Sequence, residues 1–162
     1  MGNPLIFVFR DVVSGRGFLA GVTIAGRCLL EEENGKWVIY GVRPGAIAEC
    51  GKTPHEVLLG FRRAYTEVLF DIAEESATYE KFKEEIERFY YEPDRQEEAA
   101  WEKALTAVRS GQVEPPEALA GLPRANPETR PSQISVECLN AETQRVMPSD
   151  NVVDSYLLPL AA

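Results

Sequence analysis

Glu31-Glu32-Glu33-Asn34-Gly35-Lys36-Trp37-Val38-Ile39-Tyr40 is the stretch that decides the fold. Asn34 and Gly35 both tolerate positive φ and stand between two strand-like runs, which is the code for a type I′ hairpin. So short a loop fixes the register: Glu33 is expected opposite Lys36, Glu32 opposite Trp37, Leu30 opposite Ile39 and Leu29 opposite Tyr40. Alternation then places Phe18, Ala20, Val22, Ile24, Cys28 and Leu30 on one face with Trp37 and Ile39, the expected core face. The opposite face carries Leu29, Val38, Tyr40 and Val42 beside Arg27 and Glu31, and it is apolar enough to need cover.

Working outward, residues 5–9 read as a further short strand. Arg43-Pro44-Gly45 is a turn, after which residues 46–50 read as the third member of a meander. Thr53-Pro54-His55-Glu56 opens a helix with a capping box: Thr53 accepts a backbone N–H, Pro54 needs no partner, and Glu56 reaches back. Val57, Leu58, Phe61, Tyr65, Val68, Leu69 and Ile72 form its apolar stripe, which is expected to lie across the sheet. A second helix from about Thr78 carries Tyr79, Phe82, Ile86, Phe89 and Tyr90 at helical spacing and is expected to end at Pro93. Asp94-Arg95-Gln96-Glu97 caps a third helix bearing Trp101, Leu105 and Val108, with Gly111 as its stop.

Prolines at 115, 116, 123, 127 and 131 make residues 113–131 an expected extended linker. Beyond it Ile134, Val136 and Cys138 alternate with polar residues as a C-terminal strand, and residues 152–160 form an apolar tail that needs a dock. The expected organisation is an α+β domain over 1–112, the linker over 113–131, and the strand and tail over 132–162.

The chain of 162 residues has a formal charge of −9 and a pI near 4.7, which argues against a nucleic-acid surface and favours a basic partner. Residues 1–50 balance five basic against five acidic side chains, whereas 51–92 hold six against ten, so the excess acid is helical. No apolar run is long enough for a membrane span, and none reads as a signal peptide. Cys28, Cys50 and Cys138 are widely spaced and odd in number, which points to reduced thiols in the cytoplasm rather than a disulfide framework or zinc site.

Chemistry-bearing motifs are few. The segment 45–53 ends in Gly51-Lys52-Thr53 and mimics a phosphate-binding loop, but five residues separate its glycines where the motif needs four, and they are strand-like. His55 is the sole histidine, on the first helical turn with no nucleophile in sequence context. Glu31, Glu32 and Glu33 alternate between faces and read as a solvated hairpin end. Arg62 and Arg63 read as ion-pairing partners of Glu67 and Asp71 on the same helix. No catalytic, cofactor-binding or metal-binding residue is expected.

The run Gly35-Lys36-Trp37-Val38-Ile39-Tyr40, continuing through Pro44-Gly45-Ala46-Ile47-Ala48-Glu49 to Gly51-Lys52-Thr53-Pro54-His55-Glu56-Val57, resembles the HicB-like antitoxin family over about residues 23–75. Gly41-Val42 stands where that family usually has Pro-Asp, and Lys52 where it has aspartate. The resemblance implies a small α+β fold, an antiparallel meander on helices like a partial double-stranded-RNA-binding domain. It also implies an acidic antidote to a small basic ribonuclease toxin of HicA type. Two further readings are a nucleotide-binding enzyme built on Gly51-Lys52-Thr53 and a structural oligomer. A homo-oligomer is expected from the surplus apolar surface, with Leu29, Val38, Tyr40, Val42, Ile134, Val136, Cys138, Tyr156 and Leu157 as the candidate partner or oligomer interface.

Overall fold

The computed structural model describes residues 2–92, 94–139 and 156–160. Its frame is a six-stranded antiparallel sheet. In chain order the strands are β1 (Asn3–Ser14), β2 (Leu19–Glu33), β3 (Lys36–Arg43), β4 (Ala48–Gly51), β5 (Gln133–Cys138) and β6 (Tyr156–Pro159). The spatial path runs β4-β3-β2-β1-β6, with β5 also on β2.

The Asn34-Gly35 turn forms with φ of 52° and 75°, as a type I′ hairpin requires. All four expected cross-strand pairs, from Glu33 with Lys36 to Leu29 with Tyr40, are present. β1 is much longer than residues 5–9, because its polar second half still pairs with β2 as far as Ser14 opposite Leu19. β4 begins at Ala48 rather than at 46: Gly41 donates its N–H to the Ile47 carbonyl at 2.7 Å, which holds the chain in the turn for two more residues.

β2 organises the sheet. One edge pairs with β1 along its length, while the other is divided end to end between β3 over Arg27–Glu33 and β5 over Ala20–Ala25. At the junction a bulge between Arg27 and Cys28 shifts the register and ends the β3 ladder. Gly26 sits there because a Cβ would lie 2.2 Å from the Phe7 ring and 2.5 Å from the Arg43 carbonyl oxygen.

Helices cover both faces. On the first lie α1 (Pro54–Glu75) and α2 (Tyr79–Tyr91), which bury Val57, Phe61, Tyr65, Leu69 and Ala73 and Phe82, Ile86 and Tyr90 against Leu5, Phe7, Phe9, Val22, Ile24, Leu30 and Ile39. This is the face that alternation selects, and its centre is an aromatic cluster with the Phe7 and Phe61 rings edge-on at 5.3 Å. Thr53 caps α1 by accepting the Glu56 N–H at 3.2 Å; Glu56 reaches back one residue further than expected and accepts from the Lys52 N–H at 2.9 Å. Thr78 and Asp94 cap α2 and the next helix. Pro93, the expected end of α2, lies outside the described residues, and Glu92 is its C-cap.

The second face is covered by α3 (Arg95–Arg109) and by the C-terminal tail. Trp101, Ala104 and Leu105 of α3 pack with Ile6, Leu29 and Val42, and Leu158 and Leu160 close the cluster. The apolar surplus expected to drive oligomerisation at Leu29 and Val42 is therefore buried within the chain. β6 pairs with β1 and brings the tail into the sheet; residues 152 and 153 lie outside the described residues.

The Pro-rich segment differs from an extended linker. It contains a short helix, α4 (Glu117–Ala120), whose Leu119 is buried in the first core, and Ala125 bridges to Leu160 in the second. Prolines exclude long ladders, yet the apolar residues between them still gain by burial. No described helix is long and apolar enough to cross a membrane.

Candidate functional site

The residues expected to form an interface do not share one surface. Leu29 and Val42 lie under α3. Val38 and Tyr40, nearer the hairpin tip, are half-buried, and the Tyr40 hydroxyl donates to Glu33 at 2.9 Å. That bond to a carboxylate pushes the Tyr40 pKa up to about 12. Ile134 and Val136 belong to the other core, facing α2, whose Tyr79 hydroxyl donates to the Val136 carbonyl at 3.1 Å. Cys138 is exposed. Tyr156 and Leu157 are placed by the backbone of β6 alone, opposite Val8 and Phe7.

In the segment 45–53, Gly51 ends a strand and Lys52 is exposed. The Lys52 N–H and the Thr53 hydroxyl oxygen are both engaged in the cap with Glu56. His55 is exposed, as its place on the first turn suggests. Arg62 forms no ion pair with Glu67 or Asp71 of its own helix. It forms a fork on Asp11 of β1, described below, while Arg63 points outward.

Two surface features stand out. The first is the outer side of α1. Leu59 and Phe70 are 53% and 44% exposed, and eleven residues bring the helix back to nearly the same azimuth, so they share a stripe. Glu56, Glu67, Asp71, Glu74 and Glu75 of the same helix are exposed around them.

The second is a cleft of about 580 Å³ where the middle of β2 and the bulged end of β3 meet the first turns of α3 and residues 131–132. The bulge sets Arg27 directly opposite Arg43 across the strands. Like charges in that relation destabilise a sheet, and α3 supplies the compensation. Arg43 meets Glu98 at 2.6 Å, Arg27 meets Glu102 at 3.8 Å, and the Arg27 guanidinium lies 4.4 Å from the centre of the Trp101 ring. Arg95 adds a third guanidinium to the lining. Trp101 is 1% exposed, and neither its indole N–H nor the Arg27 Nε–H has an acceptor among the described residues.

Sequence reasoning missed this cleft. Extending the hairpin register without a bulge sets Arg27 opposite Val42, and nothing local ties Trp101 or Arg95 to either strand. No family model, curated protein or solved structure matches the chain. Among the described residues no group of His, Cys, Asp and Glu is placed to hold a metal ion.

Proposed function

We propose that this chain is a HicB-like partner-binding protein whose outer α1 face receives a small basic protein, a ribonuclease toxin of HicA type. The observation that carries the reading is the pairing of two exposed apolar anchors, Leu59 and Phe70, with surrounding carboxylates on one helix. Apolar anchors inside a charged rim are how a non-obligate interface divides its work: the anchors hold, and the rim steers and selects. Helix α1 holds five acidic residues against Arg62 and Arg63, and Arg62 is engaged by Asp11, so the face presented is acidic and complements a basic surface. The β2–β3–β4 meander running through the Thr53 cap into α1 agrees with the arrangement that the resemblance implies.

The test is titration of the purified chain against a small basic ribonuclease of HicA type. The expected outcome is a complex that suppresses RNA cleavage and weakens at least about tenfold in Leu59→Ser/Phe70→Ser, a loss of about 1.4 kcal/mol. Both side chains are exposed, so the variant should keep its melting temperature. Absence of a complex at micromolar concentration, or undiminished binding by the variant, overturns the reading.

A further inference from the structure

We propose that the cleft between Arg27, Arg43, Arg95 and Trp101 is a binding site for a small phosphate monoester, on the opposite side of the sheet from α1 and independent of the partner face. Four observations converge on it. First, the β-bulge brings two arginines into direct cross-strand opposition, an arrangement that costs stability in an ordinary sheet. Proteins keep such violations of local rules mainly where function needs them.

Second, the carboxylates that offset this charge leave it incompletely matched. Glu102 is 66% exposed and 3.8 Å from Arg27, a geometry worth little in water. Arg95 has no ion pair among the described residues, so three guanidiniums face two carboxylates. In a chain with a net charge of −9 this is a local reversal of sign.

Third, two buried N–H donors of the lining are unsatisfied. The Arg27 Nε–H and the Trp101 indole N–H have no acceptor, and Trp101 is almost wholly buried. A buried donor without a partner is costly, and an oxyanion supplies the acceptor that both lack. The planar forks of Arg43 and Arg95 suit a tetrahedral dianion, which each can hold through two parallel N–H donors.

Fourth, the size fits a small organic molecule rather than a bare ion, since about 580 Å³ lies within the range of metabolite pockets. A nucleobase is not favoured: Arg27 covers the Trp101 ring, and the indole offers no open face on which a base could stack.

Calorimetry and tryptophan emission with glycerol 3-phosphate, inorganic phosphate and succinate test the assignment, using the full chain with Trp37→Phe so that Trp101 reports alone. The expected result is saturable binding of glycerol 3-phosphate with a shift in Trp101 emission, weaker binding of inorganic phosphate, and weaker binding still of succinate. Arg95→Ala and Arg43→Gln should each weaken binding at least tenfold. Arg95 is exposed at the helix start, so its variant tests the site without disturbing the core. Arg63→Ala, on the far helix, should bind as the parent does. No binding at millimolar ligand, equal affinity for succinate, or affinity unchanged by both cleft variants overturns the proposal. Inorganic phosphate binding as tightly as the ester reassigns the site to the free ion and overturns the ester.

Discussion

The Arg62 guanidinium grips the Asp11 carboxylate through two nitrogens, at 2.7 and 3.1 Å, and joins α1 to the far half of β1. The same guanidinium lies 4.5 Å from the centre of the Phe9 ring and donates to the Arg10 carbonyl at 3.2 Å. Their side chains are 25% and 13% exposed, so the pair is largely shielded from solvent. Thr66 accepts a further bond from Arg62 at 3.1 Å, which fixes the rotamer.

Removing one partner leaves the other charge half-buried. Arg62→Ala is expected to cost about 2–3 kcal/mol in chemical denaturation, and Arg62→Lys to recover less than half, because an ammonium cannot reproduce the fork. A double-mutant cycle with Asp11→Asn should show coupling above about 1 kcal/mol; additivity would show that the contact is incidental.

Tyr65 and Tyr90 are both buried, but they differ in hydrogen bonding. The Tyr90 hydroxyl donates to the Ala25 carbonyl at 3.2 Å, whereas that of Tyr65 has no partner among the described residues. Tyr90→Phe should therefore destabilise by about 1 kcal/mol, and Tyr65→Phe should be neutral or stabilising by a similar amount. Urea titration of the two variants provides the comparison.

The same two residues contribute to the alkaline limit, as do the buried Cys28 thiol and Tyr40, whose pKa values are also raised. Burial pushes the Tyr90 pKa up from 10 to about 12 and raises that of Tyr65 as well. Above pH 10 the unfolded chain releases phenolic protons that the folded chain keeps, so this contribution is complete below pH 10 and is lost as pH rises toward 12 and beyond. The expected slope is up to about 1.4 kcal/mol per pH unit for each buried tyrosine. Denaturation midpoints across that range should fall, and Tyr65→Phe should flatten the decline.

Leu160 is 1% exposed, against Ile6, Leu29 and Trp101 in the second core. Leu160→Ala is expected to cost about 2–4 kcal/mol through lost transfer energy and the cavity left behind. Deleting residues 156–162 should go further, baring the edge of β1 beside β6 and the apolar face below it. Light scattering should detect self-association of the truncated chain; a monomer with unchanged melting temperature would remove the tail from the fold.

Turn chemistry offers a graded pair of tests. Gly35, at φ 75° with open space around its missing Cβ, pays only backbone strain on substitution, so Gly35→Ala should cost about 1 kcal/mol. Gly26→Ala should cost more, because the added Cβ collides with the Arg43 carbonyl and the Phe7 ring. Thermal melts of the two variants give the ordering.

Hairpin register, the core face, the caps at Thr53 and Asp94, and the stripes of α1 and α2 were legible in the chain because each is settled by residues a few positions apart. A capping side chain reaches two or three residues, a type I′ turn sets the pairs beside it, and alternation carries that choice along a strand. Tertiary structure decided the rest. Whether Leu29 and Val42 met α3 or another molecule depended on how helix and tail returned to the sheet, and local periodicity records that a face needs cover without recording what covers it. Arg62 selected Asp11 over its helical neighbours for the same reason. The cleft required both a bulge that resets the register at Arg27 and a helix whose Trp101 arrives from more than seventy residues away, so no window of sequence contained it.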